Sequence, residues 1–144
     1  HHTFRFCIRR FRIFAFQMSV EKKDIESRAD IEQMVKSFYA KVLADPLIAP
    51  FFTNVVNVDW DHHLPVMFIF WESILFDKPV YSGNPMMAHI SLHQKSPMKP
   101  EHFQRWLLHF ETNLREQFQG PVTERASQRA MSIAAVIQSK TTSI

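Results

Sequence analysis

A chain of 144 residues has the length of one domain. Hydrophobic residues make up 46% and charged residues 22%, which excludes a disordered or collagen-like chain. The formal net charge of +3 resides in the first segment: residues 1–17 hold Arg5, Arg9, Arg10 and Arg12 and no acid, leaving 13 basic against 14 acidic side chains over 18–144. A charge so placed does not argue for a nucleic-acid partner.

Two glycines and eight prolines leave little of the φ > 0 turn chemistry that β-hairpins need, so helices are expected. Cys7 stands alone, without a disulfide partner or a zinc-binding cluster, and a reducing, cytoplasmic setting is the expectation. No apolar run approaches the roughly 20 residues of a membrane-spanning helix, so no membrane partner is expected. Residues 1–17 begin with His1-His2 and precede Met18-Ser19-Val20. They read as a tag remnant or translated upstream sequence, with an Arg-rich targeting presequence or a basic amphipathic surface helix as alternatives. A single domain is expected over 18–144.

Ser27 followed by Asp30 predicts a capping box, after which Ile31, Met34, Val35, Phe38, Tyr39, Val42 and Leu43 recur at helical spacing until Asp45-Pro46. A short apolar stretch through Pro50-Phe51-Phe52 gives way to turn residues at Thr53-Asn54 and Asn57. Asp59 is placed to cap a second helix with Trp60, Leu64, Met67, Phe68, Trp71, Ile74 and Leu75 on its apolar face. Pro65 inside it fits only near the first turn or at a kink. Asn84-Pro85 predicts the start of a helix on which Met86, His89, Ile90 and His93 share one face. The loop Ser96–Pro100 opens a long helix with Phe103, Trp106, Leu107, Phe110, Leu114 and Phe118 inward, broken at Gly120-Pro121. A last helix is expected from about Thr123 to Lys140, with Ala126, Ala130, Ile133, Ala134 and Ile137 inward and Arg125 and Arg129 outward. Helices of unequal length joined by bent loops suit pairwise crossed packing around a pocket better than a regular four-helix bundle.

No nucleotide loop, zinc-protease helix, Cys nucleophile motif or glycosidase carboxylate pair is present. The informative residues are polar tips on apolar faces. A neutral imidazole in an apolar setting can hold a metal through one nitrogen while the other is oriented by a neighbour, and periodicity alone makes His89 and His93 equal candidates. His63 points toward a buried face and His62 away from it. Tyr39 and Trp106 each bring a donor that needs a partner when buried, either locally in an aromatic core or over a bound ligand.

Residues 30–140 resemble the truncated haemoglobins, specifically their third group. The resemblance is carried by Ser37-Phe38-Tyr39, Pro50-Phe51-Phe52, Trp60-x-x-His63, Phe70-Trp71, Tyr81-x-Gly83-x-Pro85-x-x-x-His89 and Phe103-x-x-Trp106-Leu107. It implies an all-α fold, a globin-like two-over-two helical sandwich around a haem b. It makes His89 the iron ligand and His93 an exposed or propionate-side neighbour. Tyr39, His63 and Trp106 become the residues facing a small ligand, with His63 either a donor or a gate. Phe52, Met67, Phe70, Trp71 and Met86 join His63, His89 and Trp106 around the haem. The implied partners are the diatomic ligands O₂, NO and CO and a reductase, with detoxification or peroxidase-like chemistry within reach. A haem-based sensor and a helical domain without cofactor are the competing readings.

A chain beginning at Met18, with a formal charge of −1 in place of +3, should express, fold and take up haem as the full chain does, measured by soluble yield and absorption spectrum. Loss of either would show that the first segment packs on the domain.

Overall fold

The computed structural model describes residues 21–55, 57–78, 93 and 96–142. Among these the chain forms four α-helices, α1 (Arg28–Ala44), α2 (Trp60–Leu75), α3 (Pro100–Gln117) and α4 (Pro121–Thr142), with a π-helical turn at Phe51–Val55 and no strand. The first segment and the predicted helix carrying Met86 and His89 lie outside the described residues.

Helix α1 starts where Ser27 predicts, its Oγ accepting from the Asp30 amide at 3.4 Å. The reciprocal half of the box is replaced. Asp30 reaches back one residue further to accept from the Glu26 amide at 2.9 Å and pairs with Lys23 at 2.7 Å. Burial opposes the charge on Asp30, but Lys23 and the amide outweigh it and hold the carboxyl below its ordinary value. Ile31, Met34, Val35, Phe38 and Val42 are buried, whereas Leu43 is 39% exposed. Leu43 falls about 100° further round the helix than Val42, off the buried stripe.

Helix α2 begins after Asp59, which occupies the cap position without a side-chain hydrogen bond. It runs through exposed Pro65 and buries Phe68, Trp71, Glu72 and Leu75. Helix α3 opens with Pro100 at its first position, where a missing N–H has no helical acceptor to lose. It packs on α1 and α4, and α1 also packs on α2.

The register of α1 against α3 is set by a polar lock in the core. Fully buried Asn113 donates to the Met34 carbonyl at 2.8 Å. Gln117 donates to Asn113 Oδ1 at 2.7 Å and to Ser37 Oγ at 2.8 Å. Each of these groups is satisfied, which is the condition under which a buried amide specifies one arrangement. The lock holds Phe38 edge-on to Phe110, with centroids 5.3 Å apart.

Helix α4 starts two residues earlier than its periodicity predicts, at Pro121, because its cap comes from a distant segment. Asp24 accepts from the Val122 amide and the Thr123 amide at 2.9 Å each, and from the Thr123 hydroxyl at 2.7 Å. Burial opposes the Asp24 charge, yet these bonds and the Ile25 amide outweigh it and lower its pKa. Gly120 has φ +146°, and a Cβ there would lie 2.5 Å from Asp24 Cγ, so only glycine lets this carboxylate reach the helix end.

Asp24→Ala should cost on the order of 1–2 kcal/mol, the worth of a strong N-cap, read by urea denaturation at neutral pH. Because folding lowers the Asp24 pKa, its contribution is present above the ordinary carboxylate pKa and fades as pH falls through the folded value. The difference between wild type and Asp24→Ala should therefore shrink in acid. Gly120→Ala should destabilise at least as much.

Candidate functional site

Helices α1, α2 and α3, the π-turn and one face of α4 enclose a cavity of about 390 Å³. This lies within the range of about 300–1,000 Å³ usual for ligand and cofactor pockets. Tyr39 from α1, Phe52 from the π-turn, His63, Met67, Phe70 and Trp71 from α2, and Trp106 from α3 all line it. These are the predicted pocket residues that fall within the described chain. Met86 and His89 lie outside it, and the structure brings neither to the cavity nor away from it.

The walls are aromatic and packed on one another. Trp106 stacks on Phe110 with centroids 5.6 Å apart and an interplanar angle of 13°, and Phe110 stacks in turn on Trp71 at 5.0 Å and 25°. Phe38 meets Trp106 edge-on at 5.3 Å. Rings engaged in this way form a packed apolar wall. The π-turn, which the sequence reading takes only as a short apolar stretch before a bend, sets both Phe51 and Phe52 on the cavity wall.

Polar groups gather at one side. The Tyr39 hydroxyl and His63 Nε2 are hydrogen-bonded at 2.9 Å, and their rings meet at 5.3 Å. Burial pushes the Tyr39 phenol above its ordinary pKa, so the hydroxyl stays protonated and able to donate. Trp106 also lines the cavity, and its indole N–H has no acceptor among the described residues. His62 is exposed, as its rotation on the helix predicts.

Two histidines hold the loop before α3. His93 Nδ1 accepts from the Met98 amide at 3.0 Å, and His102 Nδ1 from the Lys99 amide at 2.8 Å. His102 also lines the cavity, packed edge-on to Phe51 at 4.9 Å. Sequence reading missed His102, although its place one turn ahead of Trp106 on the same face was a usable signal. On the outer side, Asp45 ties the end of α1 to α3 through His109 at 2.7 Å and Arg105 at 3.0 Å. The His109 hydrogen bond, helped by the Leu47 amide and Arg105, overcomes burial and keeps the Asp45 carboxyl below its ordinary pKa.

No group of three His, Cys, Asp or Glu among the described residues could hold a metal ion. A haem needs less from the protein: one ligand to iron, flat apolar walls for the macrocycle and donors on the opposite face. The apolar aromatic cavity, with Tyr39, His63 and Trp106 among its lining, fits those needs. No helix among the described residues is long and apolar enough to cross a membrane.

No curated protein matches the chain. The family model described as "Bacterial-like globin" matches residues 23–139. Among solved structures, the group III truncated hemoglobin from Campylobacter jejuni superposes with a TM-score of 0.72 at 28% identity, over 83% of this chain and 94% of that one. The all-helical architecture is thus that of a truncated globin, and the chain belongs to the bacterial-like globin family.

Proposed function

We propose that this globin carries haem b in the aromatic cavity, held through His89, and uses it to bind O₂, NO and CO with chemical turnover rather than delivery as the outcome. The family supports a haem cofactor and small gaseous ligands. The observation that carries the finer reading is that the hydrogen-bonded pair Tyr39–His63 and Trp106 all line one apolar cavity. Haem, when bound, supplies an iron with an open position for a small ligand.

The chain's own residues supply the rest. Phe52, Met67, Phe70, Trp71 and Met86 cover the macrocycle and exclude water. Tyr39 and Trp106 donate toward charge on a small ligand, in surroundings where such a bond is stronger than in water. His63 holds the Tyr39 hydroxyl in place, and its swing controls access. Several donors on one ligand favour retention and reaction, so detoxification of NO or peroxidase-like reduction fits better than oxygen transport. Electrons for NO turnover would come from a reductase, in a cytoplasmic setting.

His89→Ala should lose the imidazole-ligated haem spectrum, while His93→Ala should keep it, since His93 Nδ1 is already engaged by the Met98 amide. An unchanged five-coordinate histidine spectrum in His89→Ala would defeat the assignment. Tyr39→Phe and Trp106→Phe should each speed oxygen dissociation by about 10- to 150-fold, the equivalent of one hydrogen bond to a charged group, with much less effect on CO. Stopped-flow rates unchanged for both variants would return these residues to a purely packing role.

A further inference from the structure

Tyr39 has a second set of contacts, directed away from the cavity. Its ring lies 5.0 Å from that of Trp60, which is half-buried at the start of α2 and is not part of the cavity wall. Trp60 is flanked in the chain by Asp59 and Asp61, both exposed. Trp60 also meets His63, with centroids 5.5 Å apart, so the three rings form one cluster in which Tyr39 has beside it a base at hydrogen-bonding distance and a half-buried indole outside the cavity wall.

We infer that Tyr39, His63 and Trp60 form a proton-coupled electron relay that carries reducing equivalents from the protein surface to the haem pocket. The inference rests on the haem proposed above and gives its peroxidase-like chemistry a route and a donor class. The oxidant is hydrogen peroxide reacting at the haem, and the reductant is a one-electron donor of the phenol or ascorbate type at Trp60.

The steps balance as follows. A buried phenol cannot give up an electron and keep its proton, because its oxidised form is a strong acid. When an electron leaves Tyr39 for the peroxide-oxidised haem, the O–H bond breaks and the proton moves along the 2.9 Å hydrogen bond to His63 Nε2. This uses the His63 tautomer protonated on Nδ1, which leaves Nε2 to accept; when Tyr39 instead donates to a charged ligand, the other tautomer applies and His63 Nε2–H donates to the Tyr39 oxygen. Trp60 then reduces the tyrosyl group, and the proton returns from His63 to the Tyr39 oxygen. The positive charge left on the indole is favoured by the neighbouring carboxylates of Asp59 and Asp61. An external donor restores Trp60. Over one cycle the peroxide O–O bond breaks, two electrons and two protons arrive from two donor molecules, and two waters leave.

Trp106 is the competing route, because it lines the cavity itself. Its N–H has no proton acceptor among the described residues, and its stack through Phe110 leads to Trp71, which is only 5% exposed. A charge on that path would be confined in apolar surroundings with no outlet.

The test uses holoprotein whose haem content and CO-bound spectrum are verified first, mixed with hydrogen peroxide and freeze-quenched for electron paramagnetic resonance. Wild type should show an indolyl radical. Trp60→Phe should replace it with a longer-lived tyrosyl radical, and Tyr39→Phe should abolish both. His63→Gln, whose amide accepts a hydrogen bond but not a proton, should slow radical formation by about 10²-fold or more, the scale of a positioned general base. Spin-trap mapping on wild type, which needs no variant, should place the adduct on Trp60. A radical that survives Tyr39→Phe and disappears in Trp106→Phe, or an adduct on another residue, overturns the relay. Wild type that fails to load haem refutes the functional proposal and the relay together; loaded protein that forms no tyrosyl or indolyl radical refutes the relay alone.

Discussion

The structure depends on one constraint: a cavity of about 390 Å³ must be kept open at the centre of a small helical domain. Apolar side chains around such a space gain by collapsing into it. Here they are prevented from doing so because they are engaged with one another. Trp106, Phe110 and Trp71 form a stack, and Phe38 abuts two members of it edge-on. Phe110, stacked on both faces, and the rings packed against it cannot turn inward without losing those contacts. The cavity that results is lined by aromatic rings, which suits a large apolar cofactor.

The polar interactions of the chain serve the same constraint from outside the cavity. Asn113 and Gln117 fix how α1 is rotated against α3, which decides that Tyr39 faces the slot. Asp24 fixes where α4 begins, and so which of its residues close the far wall. Asp45 holds the end of α1 to α3 just before the segment that delivers Phe51 and Phe52. His93 and His102 grip successive amides of the loop that places Met98 against the cavity. Buried amides and carboxylates are satisfied in each case, so among the described residues specificity is obtained without unpaired buried polar side chains.

What could be read from the sequence was what periodicity and punctuation encode locally. Ser27 and Pro100 mark helix starts, and the inward stripes of Phe38, Trp71 and Phe110 follow from 3.6-residue spacing. The same spacing put Tyr39, His63 and Trp106 on inward faces, and the structure gathers them on one cavity. What was not legible depends on contacts across the chain. The cap that moves the start of α4 to Pro121 comes from Asp24, far away in sequence, and the π-turn at Phe51–Val55 has no local signature. Helical spacing puts His102 on the face of Trp106, but its partners, Phe51 and the Lys99 amide, come from the turn and loop that spacing does not describe. His89 and His93 are alike in periodicity, and only the resemblance to truncated haemoglobins favours the first.

The central claim is that the aromatic slot is shaped for haem, so that the cofactor completes the core of the domain. Thermal unfolding of apoprotein titrated with haemin, followed together with the absorption spectrum, tests this most directly. A ligand that binds only the folded state raises its stability, by about 4 kcal/mol when present at a thousandfold over its dissociation constant. The account predicts uptake of one haem per chain, with a large rise in Tm that saturates at that ratio. Haemin that leaves both Tm and spectrum unchanged, or that binds without saturation, would contradict it.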